Sequence, residues 1–288
     1  IPISLLAKSS ARPENFIGIH FFSPVDKMPL VEIIVGEKTG PKAIAAAVDY
    51  TVAVGKIPIV VNDSRGFFTS RCFGTYVSEG MFLLEEGVPA VMIENIAKKQ
   101  GMPVGPLAVH DEVSLTLSMH VFESDPTPDK PEAQTRLYKM VKDLVENHGR
   151  KGKKEGAGFY DYPQGGKKKL WKGLKDLYNA KPDALDEQTI TKRIMHRQAL
   201  ESYRCLDEGV LRSTTDGDLG SVLAWGFPIY TGGAISYIDY VGMQQFIADC
   251  DAFAATYGSH WNVPDSLRQL AAKGRSVHEF GKVGEPAA

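Results

Sequence analysis

The sequence predicts a short α/β segment followed by a mainly α chain in which one helical unit occurs twice. Three observations carry this. Residues 16 to 36, FIGIHFFSPVDKMPLVEIIVG, alternate and then run apolar, the pattern of two strands joined by a turn. From Arg65 onward, apolar residues recur at helical spacing. Leu84-Glu85-Glu86-Gly87-Val88 returns as Leu206-Asp207-Glu208-Gly209-Val210, Gly101-Met102-Pro103 as Gly226-Phe227-Pro228, and the Gly105 and Asp111 pair as Gly233 and Asp239. Order and near-constant offset are kept, so the echo is a duplication.

Residues 4 to 10 supply the end of a helix. In the first strand Ile17, Ile19 and Phe21 point one way and Gly18 and His20 the other. Pro24, Asp26 and Pro29 break the run, and Leu30 to Val35 resumes as a strand of the buried kind. Gly40-Pro41 opens a helix striped by Ile44, Val48 and Val52 and closed at Gly55; Ile57 to Val61 is a short closing strand. A helix follows from Arg65 to Glu86, with Phe68, Cys72, Phe73, Tyr76, Val77, Met81 and Leu84 on its apolar face. Helices are expected over Ala90 to Gln100 and Leu107 to Phe122, with Asp111 and Glu112 favouring the positive end of the latter's dipole. Another is expected over Glu132 to Asn147. RKGKKEGAGFYDYPQGG, residues 150 to 166, is a basic, glycine-rich connector with an aromatic cluster at Phe159, Tyr160 and Tyr162; it reads as a solvated linker, with attraction for phosphates the alternative. The second unit has helices over Asp186 to Glu208, Met243 to Tyr257 and Pro264 to Lys273, ends in a short polar tail, and carries an aromatic and glycine-rich stretch at 220 to 242, open between a ligand pocket and packing, interface and tail-binding roles.

The 288 residues admit roughly one to three domains, and 43% hydrophobic with 24% charged residues is the composition of an ordinary globular protein. A net charge of -2 gives no general pull toward nucleic acid or anionic membrane. No apolar run is long enough for a membrane span. Cys72, Cys205 and Cys250 lie too far apart in sequence for a metal cluster, His110 and His120 have no metal-ligand spacing, and the few cysteines suggest a reducing compartment.

Two adjacent strands would set Glu32 beside His20. A carboxylate next to an imidazole orients the ring and fixes its tautomer, as a general base near neutral pH requires. Taken alone, the pair reads first as a half-buried histidine with a satisfied partner and a glutamate at a strand edge.

GIHFFSPVDKMPLVEII, residues 18 to 34, resembles the catalytic segment of the L-3-hydroxyacyl-CoA dehydrogenases, especially the bacterial multifunctional fatty-acid oxidation enzymes that join an enoyl-CoA hydratase to the dehydrogenase. The spacing of His20 and Glu32 matches that family's catalytic pair, and further signatures recur to about residue 242. The resemblance implies that His20 takes the proton of the substrate 3-hydroxyl while hydride passes to NAD, and that Glu32 holds His20. Ser70 stands where many family members carry an asparagine that binds the reacting oxygen; it is either a shorter hydroxyl donor or an ordinary helix serine.

The resemblance also implies an incomplete Rossmann-type domain, last strands only, at residues 1 to 64. Two repeated helical dehydrogenase C-terminal domains would follow at 65 to 165 and 166 to 288. No G-x-G-x-x-G follows a strand, so the chain is expected to be a carboxy-terminal piece of a larger cytoplasmic enzyme, without NAD affinity or activity of its own. Implied partners are 3-hydroxyacyl-CoA, the missing amino-terminal part, an enoyl-CoA hydratase domain, a thiolase and a second copy. Two alternatives stand beside this: a helical dimerisation or docking module, separated by measured substrate oxidation, and another 3-hydroxyacid dehydrogenase, separated by preference for a CoA thioester over a free acid.

Overall fold

The computed structural model describes residues 1–280, so the polar tail beyond them lies outside the described residues. A short helix α1 (Ile3–Ala7) precedes three strands, β1 (Gly18–Phe21), β2 (Leu30–Val35) and β3 (Ile57–Asn62). They form one sheet in the order β1-β2-β3, with β1 antiparallel and β3 parallel to β2. The parallel pair needs a crossover, supplied by α2 (Pro41–Ala53). Val31 and Ile33 of β2 pack with Ala47 of α2. The strand's period of two therefore sends Glu32 to the opposite face.

Of the expected stripe on α2, Val48 packs against this cluster and Ile44 is half-buried, while Val52 turns away from it. Ala47 and Thr51 are its buried residues, whereas Val52 is 59% exposed, because a small residue lets the helix approach a flat apolar strand closely. Helix α1 spans fewer residues than expected. Its first backbone N–H groups, from Ile3 and Ser4, donate to the Asp63 carboxylate at the end of β3.

The remaining elements are helical apart from a two-stranded ribbon. They are α3 (Thr69–Glu85), α4 (Ala90–Lys99), α5 (Pro106–Val113), α6 (Leu115–Glu123), α7 (Glu132–Glu146), β4 (Tyr160–Asp161), β5 (Lys169–Leu170), α8 (Gly173–Leu177), α9 (Glu187–Asp207), α10 (Thr214–Trp225), α11 (Ser236–Val241), α12 (Met243–Tyr257) and α13 (Asp265–Ala272). Contacts group residues 1–74 with 198 onward as one unit and residues 75–197 as another.

In the first unit, α10 lies against β2 and β3, and Gly220 permits the approach: a Cβ there would meet Ile59 and Phe68. This helix escaped the sequence reading, although Ser213 caps it by accepting from the Asp216 N–H. The unit also brings together two cysteines 133 positions apart, with Cys72 and Cys205 Sγ atoms at 4.0 Å and both side chains buried. Burial pushes the Cys72 thiol upward.

In the second unit, the single helix expected over 107 to 122 is two. Ser114 adopts φ +86° between α5 and α6. The returning connector takes the backbone groups of the break: Lys153 N–H donates to Asp111 O, and Leu115 N–H to Lys151 O. Asp111, expected near the first turn where it would suit the positive end of the dipole, is instead a buried anchor near the end of α5. It accepts from the N–H groups of Phe159 and Tyr160 and from Tyr162 Oη. His110 is buried and His120 exposed. Arg150, in the basic connector, is also buried; its Nε donates to Gly158 O and a terminal nitrogen to Tyr160 O.

Candidate active site

The site lies in the first unit and begins with the register of β1 and β2, in which His20 stands directly opposite Glu32. Facing residues of an antiparallel pair are close enough for side chains to bond. His20 Nδ1 and Glu32 Oε2 are 2.9 Å apart, with the imidazole 30% exposed and the carboxylate fully buried. The rings of Phe22 and Phe67 stand beside the imidazole at centroid distances of 4.6 and 6.0 Å.

A buried carboxylate is costly unless donors surround it. Glu32 Oε1 accepts from the backbone N–H groups of Phe68 at 2.9 Å and Thr69 at 3.1 Å. Its Oε2 accepts from Thr69 Oγ1 at 2.6 Å. These groups open α3, where the first turn of a helix presents unpaired N–H donors and the positive end of its dipole. The same bonds explain why α3 starts at Thr69 and not at Arg65. Gly66 (φ +74°) and Phe67 (φ +50°) turn the chain so that a carboxylate from the sheet takes the capping place.

An ionised carboxylate only accepts, so its partner nitrogen, Nδ1, carries the hydrogen. That leaves Nε2 as the basic nitrogen of a partly exposed ring. Such an arrangement can remove a proton from a bound hydroxyl.

Of the three residues singled out from sequence, His20 and Glu32 are in contact, while Ser70 lies in the first turn of α3, exposed, next to the residue that grips Glu32. Thr69 and the backbone of Phe68 were missed. Nothing local marked them, because the carboxylate they hold lies 37 positions away from Thr69.

Residues 1–64 match the model of the 3-hydroxyacyl-CoA dehydrogenase NAD binding domain, and residues 66–162 match that of the 3-hydroxyacyl-CoA dehydrogenase C-terminal domain. The chain belongs to the 3-hydroxyacyl-CoA dehydrogenase family. It is 35% identical over 285 residues to a fatty acid oxidation complex subunit alpha from Vibrio campbellii, a match that takes in 97% of this chain and 39% of that relative. The chain thus spans about two fifths of the relative's length.

Among solved structures, the 3-hydroxybutyryl-CoA dehydrogenase from Escherichia coli K12 superposes with a TM-score of 0.72 at 21% identity, covering 95% of this chain and 74% of that one. The dehydrogenase part of multifunctional enzyme 1 from C. elegans gives 0.66 at 23%, covering 93% and 62%. At these identities the likeness shows the fold.

The matched domain is an NAD binding domain, but among the described residues the strand-to-helix turn before α2 forms no pyrophosphate cradle. At the strand-to-helix turn before α2, the Gly40 N–H is already given to Glu14 O, and Pro41 has no N–H to offer. Among the described residues, no helix is long and apolar enough to cross a membrane.

Proposed function

We propose that this chain carries the general base of an NAD-dependent (3S)-3-hydroxyacyl-CoA dehydrogenase, which oxidises 3-hydroxyacyl-CoA to 3-oxoacyl-CoA in fatty-acid β-oxidation. The supporting observation is the bond from His20 to Glu32, with that carboxylate sealed under the start of α3. His20 Nε2 takes the proton of the 3-hydroxyl. Glu32 holds the ring in the tautomer that leaves Nε2 free of hydrogen and stabilises the imidazolium that forms. Ser70, exposed and next in sequence to the Thr69 that grips Glu32, donates its hydroxyl to the 3-oxygen.

By descent, the chain divides at 1 to 64, 65 to 165 and 166 to 288. The whole enzyme is cytoplasmic and multidomain, with the remainder of the NAD domain and an enoyl-CoA hydratase on the same chain. A thiolase and a second copy are its partners.

The test uses the whole gene product. Replacing His20 by Gln lowers kcat by about 10² to 10⁴-fold with KM for the CoA ester little changed, the range expected for loss of a general base. Glu32→Gln places an amide donor against Nδ1, forces the hydrogen onto Nε2 and lowers kcat comparably. A His20→Gln enzyme with ordinary turnover would sink the assignment.

A further inference from the structure

Thr69 meets the buried carboxylate twice. Its N–H donates to Glu32 Oε1 at 3.1 Å and its hydroxyl to Oε2 at 2.6 Å, the same oxygen that faces His20 Nδ1 at 2.9 Å. Thr69 is itself 1% exposed, so water does not compete for these bonds.

The two carboxylate oxygens are not equally constrained by the backbone. Oε1 is tied by two N–H groups, whereas Oε2 has none. Where Oε2 sits depends on the last torsion of the glutamate side chain, which is broad and costs little to turn. With only Oε1 tied, the carboxylate pivots about that anchor. The Thr69 hydroxyl closes the pivot, and a branched side chain with a narrow choice of χ1 is a stiff hand for the task.

We propose that Thr69 is a positioning residue for the reaction, its hydroxyl fixing Glu32 Oε2 and through it the imidazole of His20. The inference rests on the reading of His20 as the base. It goes beyond satisfying a buried carboxylate, because a donor needed only for stability would affect melting and leave turnover alone.

Three variants of the whole enzyme test it. Thr69→Val keeps the shape and removes the hydroxyl. Thr69→Ser and Thr69→Ala both lose the methyl and differ from one another only in the hydroxyl, which keeps the comparison available if the valine variant folds poorly. The expected result is that Val and Ala lower kcat by roughly ten- to a hundredfold, the scale of a misplaced catalytic group, with KM for 3-hydroxyacyl-CoA nearly unchanged. Ser should restore most of the turnover. All rates are taken well below each variant's melting temperature, with His20→Gln measured beside them.

Equal kcat for the folded Ser and Ala variants overturns the role of Thr69 while an inactive His20→Gln leaves the base assignment standing. An active His20→Gln overturns the base assignment itself.

Discussion

Arg71 and Arg193 make the same set of bonds in the two units, at positions shifted by 122 residues (193 against 71, 201 against 79, 208 against 86). Arg71 Nε donates to Glu201 at 2.6 Å, and its terminal nitrogens pair with Glu208. Arg193 Nε donates to Glu79 at 2.5 Å, and its terminal nitrogens pair with Glu86. The sequence echo that ends in Glu86-Gly87 and Glu208-Gly209 is thus also an echo of ion pairs.

The two arginines differ in burial, and that sets their worth. Arg193 and Glu79 side chains are both fully buried, while Arg71 is 20% exposed and its partners Glu201 and Glu208 are 9% and 50% exposed. Removing one partner of a buried pair leaves an uncompensated charge and costs about 3–5 kcal/mol, whereas exposed pairs contribute up to ~1 kcal/mol. Arg193→Met is therefore expected to destabilise the protein more than Arg71→Met, read from urea unfolding midpoints. The reverse ranking would show that the equivalence is one of geometry without the burial energetics argued here.

The duplication has a second signature at two glycines. Glu94 accepts from the Leu107 and Ala108 N–H groups, and Asp218 accepts from those of Ile235 and Ser236. A Cβ at Gly105 would run into the Glu94 carboxylate, and one at Gly233 into that of Asp218. Neither carboxylate can withdraw without abandoning its donors. Gly105→Ala and Gly233→Ala are each expected to cost roughly 1–3 kcal/mol, the scale of overpacking, and Gly233 also has φ +128°. Unchanged thermal midpoints for both would refute the shared device.

His110 and Asp111 are adjacent and respond to acid in opposite senses. Burial pushes His110 down from 6.5 to about 4 and Asp111 up from 3.8 to about 6. Between pH 6.5 and 4 the unfolded chain protonates His110 while the fold does not, so this residue removes stability as pH falls. Between pH 6 and 3.8 the fold protonates Asp111 while the unfolded chain does not, so that residue adds stability as pH falls. Each contribution has a limiting slope of ~1.4 kcal/mol per pH unit. His110→Gln removes the His110 penalty while Asp111 is common to both proteins, so stability relative to the parent should rise as pH falls from 6.5 toward 4. Denaturant melts across that range decide it; a difference that stays flat would contradict the linkage.

Ser70 is tested by truncation. If its hydroxyl donates to the 3-oxygen, Ser70→Ala in the whole enzyme lowers kcat by the equivalent of about 0.5–1.5 kcal/mol, one neutral hydrogen bond. Stability should stay within error, since the residue is exposed. An alanine variant with the parent's kcat and KM would return Ser70 to an ordinary helix serine.

The two strands around His20 and Glu32, the amphipathic helices and the duplicated helical unit were legible in the sequence because each follows from periodicity or self-similarity within a short stretch. The strand run also carried its register, since alternation and the intervening turn leave little freedom in how β1 lies on β2. Whatever depended on a distant carboxylate or backbone group was not legible. Glu32 moved the start of α3 by four residues because it caps that helix across the fold. The returning connector split the helix over 107 to 122 by taking backbone groups at Asp111 and Leu115. Thr69 looked like any hydroxyl residue in a helix until packing placed Glu32 against it. A hydrogen bond to a buried charge is decided by which groups the tertiary structure excludes from water together, and local sequence carries no record of that choice.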